Sequence, residues 1–259
     1  MSGRPSHAPA LEVRDIAKSY GHVRALISAS FRVDYGEVLA LLGDNGAGKS
    51  TLVKCISGAL AADRGEILLD GQPAHMASPR DARAHGVETV YQDLALAPDL
   101  DSAANFFIGR ELLRSGVLGA LHALDWPRMR SETVDALNRV GIELPSGSAL
   151  IGDLSGGQRQ AVAIMRTATW AKTLVILDEP TAALGVRQSA RVLDIIRHIR
   201  ERGLGVILIS HNMPQVFEIA DKVVVLRQGR VALDRSIGDS NPDEVVAAML
   251  GAEVGGSEK

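Results

Sequence analysis

Short apolar runs punctuate the chain: EVLALL at 37–42, GVETVYQ at 86–92, TLVILDE at 173–179, GVILISH at 205–211 and KVVVLRQGRVAL at 222–233. Several are separated by stretches with helical spacing, the alternation expected of a mostly parallel α/β sheet. The segment ALEVRDIAKSYGHVRALISASFRV, at 10–33, has a different rhythm. It alternates more and no helical pattern follows it, which predicts an antiparallel strand region beside the main core.

Between about Asp93 and Asp153 the strand rhythm stops and helical signals take over. Asp125 is placed as an N-cap, Pro127 lies in the first turn, Met129, Leu137 and Val140 share a face, and Gly141 is the stop. These features predict an inserted helical subdomain over roughly 93–170. After Ser189, apolar Val192, Ile195, Ile196 and Ile199 recur at i, i+3, i+4 and i+7, a helix expected to cover the sheet and to end at Gly203. Both ends are poor in large apolar residues, so 1–10 and 252–259 read as flexible tails around one folded domain at 11–251.

Composition narrows the function classes. With 46% hydrophobic residues the chain fills a substantial core, and its net charge of −3 leaves no basic footprint for nucleic acid. Aromatic residues make up 3%, too few for a base-stacking platform. The single Cys55 excludes an intramolecular disulfide framework, fits a reducing compartment and reads as a core residue rather than a reactive thiol. No apolar run approaches the ~20 residues that cross a bilayer and there is no signal-peptide core, so a cytoplasmic chain is expected.

The chemistry concentrates at strand ends. GDNGAGKST, residues 43–51, follows a buried strand and opens a helix, and its G-x-x-x-x-G-K-S spacing is that of a phosphate loop. Its glycines leave backbone N–H groups free to meet an anion, and the helix dipole adds to their pull. In that loop Lys49 neutralises β/γ-phosphate charge, the Ser50 hydroxyl ligates Mg²⁺, and Thr51 bonds a further phosphate oxygen. TLVILDE supplies the matching carboxylates: Asp178 to hold Mg²⁺ and Glu179 to polarise the attacking water. A second anion-binding motif, LSGGQRQ at 154–160, has Ser155 as an N-cap before two glycines. One nucleotide has no use for two such sites in one fold, so the second is expected to complete a nucleotide bound by another copy.

Taken together, GDNGAGKST, LSGGQ and LVILDEPT, in this order and near the usual spacing, resemble the Walker A, signature and Walker B motifs of the nucleotide-binding subunits of ABC transporters, from about Leu11 to Gly251. The resemblance implies a P-loop ATPase core with an N-terminal antiparallel β region and an inserted helical subdomain, with ATP and Mg²⁺ as cofactors. It assigns Gly43, Asn45, Gly46, Gly48, Lys49, Ser50 and Thr51 to the nucleotide of one copy and Ser155, Gly156, Gly157 and Gln158 to that of the other. It also gives roles to residues that are ambiguous alone. Tyr20, otherwise a core candidate, matches the aromatic residue that stacks on adenine. Gln92, otherwise a strand-end polar residue, matches the glutamine that contacts metal and water. His211, otherwise a structural histidine, matches the switch histidine that contacts the γ-phosphate and orients Glu179 or the water. The other histidines, including His75, His85 and His198, have no metal-ligand spacing.

The resemblance further implies a head-to-tail homodimer on the cytoplasmic face of the membrane, driving transmembrane permease subunits that receive a solute from a periplasmic binding protein. VYQDLALAPDLDSAANFFIGRE and NPDEVVAAMLG are similar to ATPases of bacterial ribose- and fructose-type importers, many of which carry two ATPase domains in one chain. Import of another small solute, export, and a soluble ABC ATPase acting on DNA or the ribosome are the alternatives. A nucleotide-binding regulator without turnover is disfavoured by the presence of both Glu179 and His211. One position departs from the family: AALG stands at 182–185 where S-A-L-D is usual, so Gly185 lacks the aspartate expected to link the two nucleotide sites.

Overall fold

The computed structural model describes residues 8–182 and 184–251. The expected tails therefore lie outside the described residues except at 8–10, where Ala10 is already fully buried. The strands are β1 (Leu11–Tyr20), β2 (Val23–Val33), β3 (Val38–Leu42), β4 (Arg64–Leu69), β5 (Gln72–Pro73), β6 (Val87–Val90), β7 (Leu174–Asp178), β8 (Gly205–Ile209), β9 (Lys222–Arg227) and β10 (Arg230–Ser236). The helices are α1 (Lys49–Ile56), α2 (Pro79–Ala84), α3 (Ser102–Phe107), α4 (Val117–Ala120), α5 (Trp126–Asn138), α6 (Gly156–Trp170), α7 (Val186–Glu201), α8 (Met213–Ile219) and α9 (Pro242–Leu250).

The strands run in the order β5-β4-β1-β2-β10-β9-β3-β8-β7-β6. The expected antiparallel region is present: β1 pairs antiparallel with β2 and with β4, which pairs antiparallel with β5. Strands β9, β3, β8 and β7 are parallel neighbours. The run at 222–233 is two antiparallel strands rather than one, reversed at Gln228 and Gly229, both at positive φ. A Cβ on Gly229 would lie 2.9 Å from the Ala25 carbonyl oxygen, so only glycine lets this turn close on β2.

Strands β3 and β8 are buried at every position, because parallel strands covered on both faces need continuous apolar runs rather than alternation. The sheet core gathers Leu39, Leu41, Leu52, Ile176, Ile207 and Val224. Cys55 lies among them, 1% exposed, and burial pushes its thiol up to about 11, in keeping with a packed, unreactive side chain.

The chain divides into two compact units. The sheet unit comprises the described residues up to Thr89, Ala171–Pro180, and those from Ile199 onward; the helical unit comprises Val90–Trp170 and Thr181–His198. The helical unit thus holds more than the 93–170 segment, since most of α7 clusters with it. Helix α5 follows its sequence signals: Asp125 accepts the Arg128 N–H, Met129 and Leu137 are buried, and Gly141 has φ 69°. Similar side-chain caps open α2 at Ser78, α3 at Asp101, α8 at Asn212 and α9 at Asn241. On α7, Val192, Ile195, Ile196 and Ile199 are buried as their spacing predicts, and Gly203 takes φ 78°. No helix among the described residues is long and apolar enough to cross a membrane.

Candidate functional site

Three parallel strands deliver the chemistry to one edge of the sheet. Strand β8 lies between β3 and β7, with Ile209 opposite both Leu41 and Asp178. The phosphate loop leaves the end of β3, Asp178 ends β7, and Ser210 and His211 leave the end of β8. Carboxyl ends of parallel strands are where ligands meet an open α/β sheet.

The loop at 43–48 is held open by glycines that no other residue can replace without strain. Gly43 has φ 144° and a Cβ there would lie 2.2 Å from the Leu226 carbonyl oxygen; Gly48 has φ 108° and a Cβ there would lie 2.6 Å from the Ala25 carbonyl oxygen. The loop is therefore wedged against β9 and β2. Gly48 is also the N-cap of α1 and provides no side-chain cap, so the first-turn N–H groups remain available to an anion. The Lys49 ammonium bridges its own loop, donating to the carbonyl oxygens of Gly43 at 2.6 Å and Asp44 at 3.1 Å.

Glu179 sits at φ 51°, an uncommon conformation for a non-glycine residue and one that strained functional positions often adopt. It is fixed twice: its N–H donates to the Ile209 carbonyl at 2.9 Å, and its Oε2 lies 2.9 Å from His211 Nδ1. The His211 side chain is otherwise 79% exposed. With Nδ1–H donating to the carboxylate, Nε2 is the nitrogen left for substrate. Asp178 is half-buried, and burial and then the adjacent Glu179 charge hold its carboxyl above the usual range, opposed by Lys49. A half-buried carboxylate raised by burial and by its neighbour's charge is a fit for a divalent cation, which would offset both effects at Asp178. Tyr20 ends β1 opposite Val23 and is 48% exposed, which excludes the core reading of this residue.

The helical unit carries the remaining sequence candidates. Gln92 is exposed. Just beyond it, the Arg166 guanidinium donates to the carbonyl oxygens of Leu94 at 3.1 Å and Ala95 at 3.2 Å, tying this loop to α6. At the start of α6, Ser155 and Gln158 form a reciprocal capping box. The Gln158 N–H donates to Ser155 Oγ at 3.3 Å and the Ser155 N–H donates to Gln158 Oε1 at 3.0 Å. The signature motif is thus a capped helix start in which one first-turn N–H is already engaged. The Gln158 amide also donates to the Glu143 carbonyl at 2.9 Å.

The sequence did not single out Arg166, whose role depends on a loop about 70 residues away, or Gln188. The signal for Gln188 was local: G-x-x-Q at 185–188 repeats the S-x-x-Q spacing of 155–158.

A phosphate loop, paired carboxylates and a histidine at the end of a parallel sheet define a P-loop nucleotide hydrolase. The model of the ABC transporter family matches residues 26–182. The chain belongs to that family and is an ABC ATPase. It is 47% identical over 247 residues to a fructose import ATP-binding protein of Rhizobium meliloti, and 42% identical over 245 residues to a xylose/arabinose import ATP-binding protein of Sulfolobus acidocaldarius. Each alignment covers 95% of both chains. Among solved structures, the fold matches an ATP-binding cassette of an ABC transporter in its ADP conformation, with TM-score 0.79 and 23% identity over 95% of this chain and 100% of that one. It also matches a dimeric cassette in a post-hydrolysis state bound to ADP and Pi, with TM-score 0.73 and 21% identity over 88% and 98%.

Proposed function

We propose that this chain is the ATP-hydrolysing subunit of a sugar importer. In this reading residues 11–251 form one ABC ATPase domain. ATP with Mg²⁺ lies between Gly43–Thr51 of one copy and Ser155–Gln158 of a second, and closure of the pair drives permease subunits from the cytoplasmic face of the membrane. The observation that carries the hydrolytic part is the fixed Glu179–His211 pair at the sheet edge that bears the phosphate loop. Sugar as the cargo is supported by the two relatives, which serve fructose and xylose/arabinose import, and the head-to-tail pair by the second helix-start motif and the dimeric structural neighbour.

Within this site Lys49 and the loop N–H groups bind the phosphates, and Tyr20 stacks on the adenine. Ser50 and Asp178 would hold Mg²⁺, with Gln92 as a further contact, and the ion would neutralise phosphate charge. Glu179 accepts a hydrogen bond from the attacking water and polarises it, while His211 holds the carboxylate through Nδ1 and offers Nε2 to the γ-phosphate. The solute itself is met by the permease and a periplasmic binding protein.

Glu179→Gln tests this reading. Hydrolysis is expected to fall about 10²- to 10⁴-fold while ATP binding survives, since the amide keeps the shape and loses the basic oxygen. At saturating ATP-Mg²⁺ the variant should sediment as a dimer. Turnover near that of the parent protein removes Glu179 from catalysis, and a monomer under these conditions rejects the shared site.

A further inference from the structure

Gln188, in the first turn of α7, touches two segments of the helical unit that the proposed function places beside a partner's nucleotide. Its Oε1 accepts the Gly185 N–H at 3.1 Å. Its stem fills the space a side chain on Gly157 would need: a Cβ built there would lie 3.0 Å from Gln188 Cγ and 3.3 Å from Gln188 Cβ. Next to it, Leu184 Cδ2 lies 3.8 Å from the position of a Cβ on Gly156. The 184–188 turn and the start of α6 are thus packed on each other through Leu184 and Gln188 on one side and Gly156 and Gly157 on the other.

The two helix starts are built alike, with one half missing from the second. At α6 both halves of the capping box are present, Ser155 Oγ for the Gln158 N–H and Gln158 Oε1 for the Ser155 N–H. At α7 only the glutamine half is possible, because Gly185 has no side chain; the Gln188 and Ser189 N–H groups bond instead to the Gly185 carbonyl at 3.0 and 2.9 Å. The conformation of the 185 turn therefore depends on Gln188, and the same side chain backs Gly157.

We infer that Gln188 is a positioning residue that fixes the signature backbone at Gly156 and Gly157 relative to the Gly185 turn, presetting both for the partner's nucleotide. The inference rests on the shared-site reading above. Loss of the amide frees the turn, and loss of the stem leaves the Gly157 backbone without its packing neighbour.

Three variants separate the two contacts. Gln188→Glu keeps stem and acceptor, Gln188→Met keeps the stem alone, and Gln188→Ala removes both. In the nucleotide-free full chain, amide hydrogen exchange over 155–159 and 184–188 should accelerate about tenfold in Gln188→Ala, less in Gln188→Met, and remain near the parent in Gln188→Glu. In the Glu179→Gln background, the ATP concentration for half-maximal dimerisation should rise three- to tenfold for Gln188→Ala and return to the parent value for Gln188→Glu. ATP affinity at protein concentrations too low for dimerisation should not move. Unchanged exchange in Gln188→Ala overturns the inference, as does an equal loss in all three variants accompanied by a lower melting temperature. If the Glu179→Gln protein never dimerises, the shared-site reading fails first, and the exchange data still decide whether Gln188 holds the two segments.

Discussion

The two glycine-bearing helix starts, 43–51 on the sheet unit and 154–158 on the helical unit, are made by opposite means. In the first, Gly43 and Gly48 adopt positive φ against carbonyl oxygens of β9 and β2, and α1 begins with no side-chain cap. In the second, neither Gly156 nor Gly157 takes a left-handed φ, the contact behind Gly157 is a flexible side chain, and a capping box closes α6 on itself. The first is set rigidly by backbone sterics and leaves its first-turn N–H groups open, the arrangement an anion cradle needs. The second is a finished helix terminus; on the function proposed above it would exchange some of its own cap bonds for a nucleotide brought by another molecule.

A methyl group added to each site should act very differently on the two. Gly48→Ala should cost about 1–3 kcal/mol or more, from the forced φ and the 2.6 Å approach to a backbone oxygen, and should abolish ATP binding by the monomer. Gly157→Ala meets the Gln188 side chain, which can give way; stability should change by under about 1 kcal/mol and monomer ATP affinity should stay, while ATP-driven dimerisation weakens. Calorimetric titration and sedimentation measure these separately. Equal loss of monomer binding in both variants would erase the distinction. Lys49→Ala belongs with the first site and should weaken monomer ATP affinity by about 1.5–3 kcal/mol, the worth of charge-assisted contacts.

Asp178 marks the same difference electrostatically. Its carboxyl is raised by burial and by Glu179, so in the window above its ordinary 3.8 the folded protein binds more protons than the unfolded chain. The sign follows from linkage: stability attached to this group is full below the unfolded pKa and is lost as pH rises through the higher folded one. Asp178→Asn removes that loss. The nucleotide-free variant should melt higher than the parent at pH 7 and should lose the advantage at pH 3.5. Its ATPase activity should fall sharply. A melting temperature equal to the parent's at both pH values would show that the carboxylate is not strained.

Much of this was legible along the chain because the signals were local. Continuous apolar runs marked β3, β7 and β8, glycine spacing marked the phosphate loop, and Asp125, Pro127 and Gly141 bounded α5 closely. The hairpin of β9 and β10 was hidden because its two-residue reversal lies inside one apolar-rich run, β4 because only its last three residues are apolar and buried, and β5 because it has two residues. The periodicity of α7 identified a buried face but had no means of naming the unit it joins. The residue types of the candidate site were readable, whereas the His211–Glu179 contact and the packing of Gln188 against Gly157 exist only once distant segments meet.

At Gly185 the half-cap can be completed by a single side chain. This glycine has no left-handed φ, and the nearest atom to a Cβ placed there is Gln188 Oε1 at 3.7 Å, so neither backbone nor space demands glycine. Gly185→Asp would supply the missing acceptor at the start of α7, whose first turn has no acidic residue. Replacing glycine by a capping side chain gains only a few tenths of a kcal/mol, or about 1 °C in melting temperature, and the helix dipole favours the same charge. Monomer ATP affinity should be unchanged, because the phosphate loop lies on the other unit. If the aspartate acts across the dimer, the ATP-concentration dependence of turnover must shift by more than this small gain in stability explains. A change in turnover that merely follows the melting temperature would make position 185 a helix cap and nothing else. A fall in melting temperature would mean that the new carboxylate repels Gln188 Oε1, and Gln188→Lys in the same chain should then restore it.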